Sequence, residues 1–198
     1  MEIIIVDDAS TDNSLEIIKK FKREYPDVIR AFETHKSLTE NICLPANIGF
    51  KRAKYPYVVI NPSDAIQVLD TNFSKYLNAL KKHVRAFADP ILINFSGWRR
   101  KKSHLAQAGG CTMTKWLRQI KGYDERMRGW GANEPDLFMR LGFIGVHVVK
   151  TEAIVLHMDR IVEKKRVHRT YNPQNAVFHR KNREGVVAPN KIWGEHPL

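Results

Sequence analysis

Short apolar runs alternate along this chain with segments in which apolar residues recur every three or four positions. The runs are rich in Ile and Val and are typical of buried strands, whereas the second spacing is typical of helices with one buried face. Strands are predicted at residues 2–6, 28–33, 55–64 and 90–95, with one or two more inside 146–158. Helices are predicted at residues 14–25, 47–54, 71–83 and 134–143. Strands that alternate with helices predict an α/β fold with a largely parallel sheet.

Polar residues follow two of the predicted strands. Asp7 and Asp8 come directly after the first strand, and the third strand ends on Asn61, Ser63 and Asp64. In parallel α/β sheets, ligands bind beyond the carboxyl ends of the strands. We therefore expect the two polar clusters to converge on one crevice.

The length and composition of the chain predict one domain with a hydrophobic core. The chain has 198 residues, of which 43% are hydrophobic, as is ordinary for a globular protein. No apolar run approaches the roughly 18 residues needed to cross a bilayer, and the first residues lack the basic segment of a secretion signal. Cys43 and Cys111 have neither metal-ligand spacing nor a disulfide framework, so we interpret them as free thiols in a reducing compartment. These features predict a cytoplasmic protein or a fragment of a larger one.

The net charge of +12 suggests an anionic partner. Basic residues cluster at 97–102, 163–169 and 179–183. Nucleic acid, an anionic membrane face and phosphate-bearing small molecules would each suit such a surface. No helix-turn-helix, zinc knuckle or aromatic RNA-binding motif accompanies the charge, so nucleic acid is not expected. Peripheral contact with the inner face of a membrane stays open.

The stretch VDDASTD places two carboxylates at the end of the first strand. Carboxylates there can accept hydrogen bonds from a base N–H or a ribose hydroxyl. The alternative is a turn closed by Asp side chains and a helix cap, which many α/β proteins contain. Ser10, Thr11 or Asp12 is a suitable cap for the next helix. Because one cap does not need two carboxylates, we favour a binding role for the Asp7–Asp8 pair.

The stretch INPSDAI carries oxygen ligands on a tight turn, which suits a hard divalent cation that bridges a pyrophosphate. The Asn61 and Ser63 oxygens are neutral, so Asp64 would be the only local anionic ligand. A turn in which Ser63 and Asp64 cap the following segment fits the same residues, and the sequence leaves both interpretations open.

Three stretches together carry a family resemblance. EIIIVDDASTDNS and ANIGFKRAKYPYVVIN resemble successive segments of glycosyltransferase family 2, the inverting sugar-nucleotide transferases of the GT-A fold. GYDERMRGWGANEPDLFMRL (122–141) resembles the catalytic segment of β-1,4-galactosyltransferases, polypeptide N-acetylgalactosaminyltransferases and bacterial chondroitin-type polymerases. Retaining enzymes also contain the latter segment, so the stereochemistry stays open.

The resemblance implies roles for named residues on the donor side. Nucleotide contacts are implied for Asp7, Asp8 and Asn61. Ligands of a Mn²⁺ or Mg²⁺ ion are implied for Ser63, Asp64 and His157. A lone His is more often structural, but His157 closes the last predicted strand, where these transferases place a metal-binding His, and imidazole suits Mn²⁺.

On the acceptor side, the resemblance implies that Trp130 offers a flat face to a sugar ring, while Gly129 and Gly131 let the backbone approach. Glu134 falls at the position of the catalytic base, which would take the proton of the acceptor hydroxyl. The acidic cluster is thinner here than in the family, so Asp136 is the alternative base. Asp124 and Glu125 are candidates for fixing the loop by hydrogen bonds, and Leu137, Phe138 and Leu141 for the core.

The implied activity is transfer of a hexose or N-acetylhexosamine from a UDP-sugar to a saccharide acceptor, in surface polysaccharide or glycan synthesis. A degenerate or truncated module that binds the sugar nucleotide without turnover is the alternative. We expect a GT-A domain over residues 1–159, with a nucleotide half (1–95) and a catalytic half (96–159). Residues 160–198 would form a basic extension that is loosely ordered unless a ligand holds it.

Family members also carry a strand and a helix before the segment that opens this chain. Without that strand, Ile3 and Ile5 would lie at an exposed apolar edge. We therefore expect that this chain is a truncated reading of a longer protein, or that another chain or a rearranged edge completes the sheet. Oligomerisation through this edge is one such completion.

Overall fold

The computed structural model describes residues 1–34, 43–94, 109–129, 131–158 and 172–195. Trp130, most of the basic segment 96–110 and the basic cluster 163–169 lie outside the described residues. The strands are β1 (Ile3–Asp7), β2 (Ile29–Glu33), β3 (Tyr57–Val59), β4 (Ala65–Gln67), β5 (Ala86–Asn94), β6 (Cys111–Met113) and β7 (His147–His157). The helices are α1 (Ser14–Glu24), α2 (Cys43–Arg52), α3 (Asn72–Lys82), α4 (Thr114–Gln119), α5 (Asn133–Phe143) and α6 (Pro173–Asn182).

The strands form two sheets. Strands β1 and β2 make a parallel pair, and the other five follow the order β3-β6-β5-β7-β4. In the larger sheet β5 and β7 are parallel, whereas the β3–β6, β5–β6 and β4–β7 ladders are antiparallel. The predicted α/β class is confirmed. The sheet is less parallel than predicted, because each antiparallel ladder includes β4 or β6, two three-residue strands with no pattern in the sequence.

The main core lies between the larger sheet and the helices α2, α4 and α5, and a smaller core lies between the sheet and α3. Leu137 and Leu141 of α5 are fully buried, and the Phe138 ring packs edge-to-face on Phe87 of β5 with centroids 4.9 Å apart. The predicted core face of this helix is therefore confirmed. Because β5 also pairs with β7 in parallel, the same strand contacts both α5 and β7.

The layer formed by β1, α1 and β2 is thinly packed. Helix α1 has a clear apolar stripe, but none of its residues is buried, and Ile17 and Phe21 are nearly half exposed. Ile3 in β1 is 45% exposed, as expected for the apolar edge, whereas Ile5 is partly buried. Among the described residues, no helix combines the length and the apolar character that a membrane span requires.

The C-terminal region differs from the expectation of loose order. Within residues 172–195, helix α6 packs on α5, and its Asn175 and Asn182 are fully buried. The amphipathic pattern failed to reveal this helix because its two fully buried residues are polar, and Phe178 is only partly buried where it packs on the core. Asn172 caps the helix by accepting a hydrogen bond from the Gln174 N–H at 3.0 Å.

Candidate functional site

The turn after β1 holds both carboxylates of the VDDASTD stretch. Asp7 is buried and accepts hydrogen bonds from the Ser10 N–H (2.9 Å) and hydroxyl (2.5 Å). Asp8 accepts one from the Thr34 hydroxyl at 2.6 Å. Ala9 has a φ of 52°, a left-handed conformation that costs a non-glycine residue about 1–2 kcal/mol. Asp7 therefore closes a strained turn, and Asp8 links the end of β1 to the end of β2. Each carboxylate oxygen can accept more than one hydrogen bond, so nucleotide binding by the pair stays a prediction.

At the N-terminus of helix α1, the predicted helix cap is only partly formed. The Asp12 carboxylate accepts a hydrogen bond from the Ser14 N–H at 3.0 Å, and hydrogen bonding to the Ser14 side chain, together with this N–H, lowers the pKa of Asp12. Asn13, the residue before α1, makes no capping bond through its side chain. Asp12 thus has a local structural role beside the start of α1.

The turn after β3 is closed by Asn61. Its amide nitrogen donates to the Ala65 carbonyl at 2.8 Å, and its amide oxygen accepts from Gln67 Nε2 at 2.9 Å. Ser63 is exposed on this turn. These bonds give Asn61 a structural role in the turn, and its nucleotide contact stays a prediction. The Asp64 side chain lies beside a different residue, His157.

Asp64 and His157 meet across the β4–β7 ladder, in which Ala65 pairs with His157. His157 Nε2 lies 3.3 Å from Asp64 Oδ2, and both side chains are partly exposed. The Asp64 carbonyl also accepts a hydrogen bond from the Met158 N–H at 2.7 Å, which fixes the two strand ends together. Two of the three predicted metal ligands are therefore adjacent. Within the described part of the chain, no group of three or more His, Cys, Asp or Glu side chains has metal-site geometry.

The described residues of the turn before α5 have unusual backbone conformations. Gly129 and Gly131 have φ values of 67° and 116°, and Ala132 has a φ of 61°. Glycine is the residue that adopts such conformations without steric cost, so the two glycines are required by backbone geometry. Ala132 lacks this freedom. Strain of this kind persists only where surrounding contacts hold it, and it is common at functional sites.

Glu134 lies in the first turn of α5, directly after this strained turn, and is partly buried. Burial raises the pKa of its carboxyl above the ordinary value of 4.5. A carboxylate with a raised pKa is a stronger base and binds a proton more readily near neutral pH. The positive end of the α5 dipole faces the same turn and favours negative charge there.

Asp136, the alternative base, is fully buried in an ion pair with Arg140 (Oδ2–Nε 2.7 Å). Its second oxygen accepts a hydrogen bond from Asn182 Nδ2 at 2.8 Å. Arg140 Nη1 donates to the carbonyls of Ile120 (3.0 Å) and Gly122 (2.8 Å). Asp136 thus anchors α5 to its neighbours, and a solvent-borne acceptor hydroxyl has no access to it.

Asp124 and Glu125 fix the loop before the motif. Burial opposes charge on Asp124, but hydrogen bonds from Arg126 and Asn182 outweigh it and lower the pKa of Asp124. Glu125 accepts hydrogen bonds from Asn47 Nδ2 (2.8 Å) and the Gly194 N–H (2.7 Å), while burial raises the pKa of Glu125. These contacts match the predicted alternative, in which Asp124 and Glu125 fix the loop by hydrogen bonds.

The sequence of nearly three quarters of the chain matches a known family. A family model described as glycosyl transferase family 2 matches residues 1–147. The chain belongs to glycosyl transferase family 2. No curated protein shows significant sequence similarity to this family 2 chain.

Solved structures of glycosyltransferases share the fold of this family 2 chain. GalNAc-T7, crystallised with UDP, GalNAc and Mn²⁺, superposes with a TM-score of 0.70 at 12% identity, over 91% of this chain and 42% of its own. TarS of S. aureus gives 0.66 at 16% identity, over 80% and 31%. The mannosyltransferase PcManGT of Pyrobaculum calidifontis, in complex with GDP-Man and Mn²⁺, gives 0.62 at 15%, over 84% and 49%. At these identities the likeness shows the GT-A fold alone, and the chain spans less than half of each of these three proteins.

Sequence reasoning missed the buried asparagines of this family 2 chain. Four of them hold the loop 121–131 through its backbone or its acidic side chains: Asn47, Asn175, Asn182 and Asn190. Asn47, for example, donates to the Tyr123 carbonyl (2.9 Å) and accepts from its N–H (2.7 Å). Asparagines are usually exposed, so composition gives no hint of them. The spacing of Asn175, His179 and Asn182, which places all three on one helix face, is the available signal.

Proposed function

We propose that this family 2 chain transfers a hexosyl or N-acetylhexosaminyl group from a nucleoside diphosphate sugar to a hydroxyl of a saccharide acceptor, with inversion. The observation that carries the proposal is the placement of Asp64 beside His157, at 3.3 Å, in a chain of this family. These two residues are far apart in the sequence, and both are candidate ligands of the diphosphate-binding ion. Solved relatives of the same fold contain UDP or GDP-Man together with Mn²⁺.

Glu134 is the proposed base. In the transfer, an acceptor oxygen forms a bond to the anomeric carbon while the bond from that carbon to the diphosphate oxygen breaks. The acceptor proton passes to the Glu134 carboxylate, and the electron pair leaves with the nucleoside diphosphate. The raised pKa of Glu134 and its place at a helix N-terminus support this assignment, and the burial of Asp136 argues against the alternative.

The residues after β3 and at the end of β7 fit a Mn²⁺ or Mg²⁺ ion. Asp64 offers a carboxylate, His157 an imidazole nitrogen and Ser63 an exposed hydroxyl on the same turn, a donor set that Mn²⁺ accepts. When bound, such an ion neutralises charge on the leaving diphosphate. Asp7 and Asp8 are the proposed nucleotide contacts, and the Gly129–Gly131 turn is the proposed platform for the sugars.

A donor panel tests the proposal directly. We expect the full chain to release UDP or GDP from one member of a set containing UDP-Gal, UDP-GalNAc, UDP-GlcNAc and GDP-Man when Mn²⁺ and a saccharide acceptor are present. EDTA should stop the release. Calorimetry with the same nucleotides separates the alternatives. Binding without transfer would favour the module without turnover, and no binding at millimolar concentrations would reject both sugar-nucleotide functions.

Removing the imidazole from β7 should weaken the response to metal. For His157→Ala we expect the Mn²⁺ concentration that gives half-maximal activity to rise by at least about tenfold, since disturbing even the outer partners of metal ligands costs about 10–100-fold in affinity. His147→Ala is the matched control, because His147 begins the same strand and is exposed. Equal Mn²⁺ responses of the two variants would remove His157 from the site.

A further inference from the structure

We propose that helix α6 belongs to the catalytic half of the molecule and that Asn175 is a positioning residue, which holds the Gly129–Gly131 turn in the conformation needed for sugar transfer. The proposal deepens the function proposed above and rests on it. It also replaces the boundary expected at residue 160, because the segment beyond that boundary supplies contacts to the motif.

The contacts of Asn175 enclose the turn on both sides. Its Oδ1 accepts a hydrogen bond from the Arg128 N–H at 3.0 Å. Its Nδ2 donates to the Arg128 carbonyl (2.9 Å) and to the Gly131 carbonyl (3.0 Å). Asn175 is fully buried, so water does not compete for these bonds. Asn172 Nδ2 also donates to the Arg128 carbonyl at 3.0 Å, but Asn175 bonds to the backbone both immediately before and within the motif.

The backbone that Asn175 holds is under strain. Gly129, Gly131 and Ala132 all have positive φ, and the alanine does so at a steric cost. Such a turn would relax if nothing around it opposed the relaxation. Glu134 follows two residues after Ala132, so relaxation of the turn would also shift the start of α5. Displacements of about 1 Å at a reacting group can lower a rate by about a hundredfold.

The face of α6 that meets the motif is built from polar side chains. Asn175, His179 and Asn182 recur at spacings of four and three residues, which places them on one side of the helix. Asn182 Nδ2 donates to Asp124 Oδ2 (2.9 Å) and Asp136 Oδ1 (2.8 Å). His179 Nδ1 lies 3.5 Å from the same Asp136 oxygen. Phe178 of the same helix packs against the hydrophobic core and stabilises it in the ordinary way, whereas the polar residues of α6 present hydrogen-bonding groups to the motif.

The test compares Asn175→Ala with Asn190→Ala in the full chain. Asn190 is also buried, and it makes three comparable bonds, to the Lys121 and Tyr123 carbonyls and from the Glu125 N–H. Asn190→Ala therefore controls for the loss of a buried asparagine, because Asn190 holds a part of the same loop that lies outside the Gly129–Gly131 turn. Hydrogen–deuterium exchange, kcat with saturating substrates and nucleotide affinity by calorimetry are measured for both variants. Asn175→Ser, which is small and uncharged and keeps a polar side chain, serves if Asn175→Ala does not fold, because Asp would place a buried charge against the Arg128 and Gly131 carbonyls.

For Asn175→Ala we expect faster exchange at residues 126–134 and a kcat lower by about 10–100-fold, with nucleotide affinity changed by less than about twofold. For Asn190→Ala we expect faster exchange at 121–125 and a kcat within about threefold of the wild type. Unchanged exchange at 126–134 in Asn175→Ala, or equal losses of kcat in the two variants, would overturn the positioning role. If the wild type transfers no sugar, the proposed function fails. The exchange data then still decide whether Asn175 holds the turn.

Discussion

Replacing Glu134 by Gln is expected to lower kcat for sugar transfer by about 10²–10⁴-fold, which is the usual contribution of a general base. Gln preserves the shape of the side chain but cannot accept the acceptor proton. Nucleotide binding should be unaffected, because the proposed nucleotide contacts lie on other elements, at the end of β1. The measurement is UDP or GDP release at saturating donor and acceptor, with calorimetric binding of the nucleotide in parallel.

Glu125→Gln provides the matched control. Glu125 is a partly buried carboxylate in the same segment, and burial raises the pKa of Glu125 as it does that of Glu134. Its contacts to Asn47 and Gly194 are structural, and the Gln amide oxygen can still accept both bonds. We expect kcat to stay within about threefold of the wild type, a range far below the effect of losing a base. A large loss in Glu125→Gln and none in Glu134→Gln would transfer the role of base to Glu125.

The pH dependence gives Glu134 a second signature. The base is active when it is deprotonated, so kcat should fall as the pH drops through the pKa of Glu134, which burial places above 4.5. Because the pKa of Glu134 is raised in the folded state, folding favours the protonated carboxyl. Its contribution to the free energy of unfolding is lost as the pH rises through that pKa. Glu134→Gln should therefore be at least as stable as the wild type at pH 7. A destabilised variant would point to a structural role.

Replacing Arg140 by Met is expected to lower the free energy of unfolding by about 3–5 kcal/mol, the usual result of breaking a buried ion pair. The side chains of Arg140 and Asp136 are both completely buried. The substitution leaves the Asp136 carboxylate without its cation and removes the donors to the Ile120 and Gly122 carbonyls. Urea unfolding measures the loss, and the melting temperature should fall by about 6–20 °C for a chain of this size.

Lys51→Met is the control for this experiment. Lys51 pairs with Glu195 at the surface, where both side chains are partly exposed, and such pairs contribute about 0–1 kcal/mol. Its stability should therefore change much less than that of Arg140→Met. If the two substitutions cost the same, the Asp136–Arg140 pair does not anchor α5 in the way the geometry indicates.

Apolar spacing was sufficient to predict the long elements of this fold. Helices α1, α3 and α5 and strands β1 and β2 appear close to their predicted positions, because each carries an apolar repeat over several residues. Strands β4 and β6 have three residues each, and tertiary pairing rather than local pattern forms them. Helix α6 escaped prediction for a different reason, since both of its fully buried residues are asparagines.

Residues of the candidate site could be predicted where only a few residue types can perform the required chemistry, as for metal ligands. Asp64 and His157 were selected from separate stretches, and the antiparallel β4–β7 pairing brings them together. The preference for Glu134 over Asp136 came from the family resemblance and not from the local pattern, because both carboxylates occupy the first turn of α5. Burial and the Arg140 partner separate them, and both depend on tertiary packing. The asparagine contacts also require the folded chain, since they join segments far apart in the sequence.

The thin packing of the β1–α1–β2 layer has a consequence for how the protein would respond to its ligand. A layer without a buried helix face opens at a lower free energy than the core of the larger sheet, so it should act as a separate unit of local unfolding. Asp7 and Asp8 lie in this layer. A nucleotide bound there would draw its affinity partly from suppressing that opening, and amide protection of residues 3–33 should rise with nucleotide concentration as ligand linkage requires. Donor binding and the local unfolding of this layer would then be thermodynamically linked.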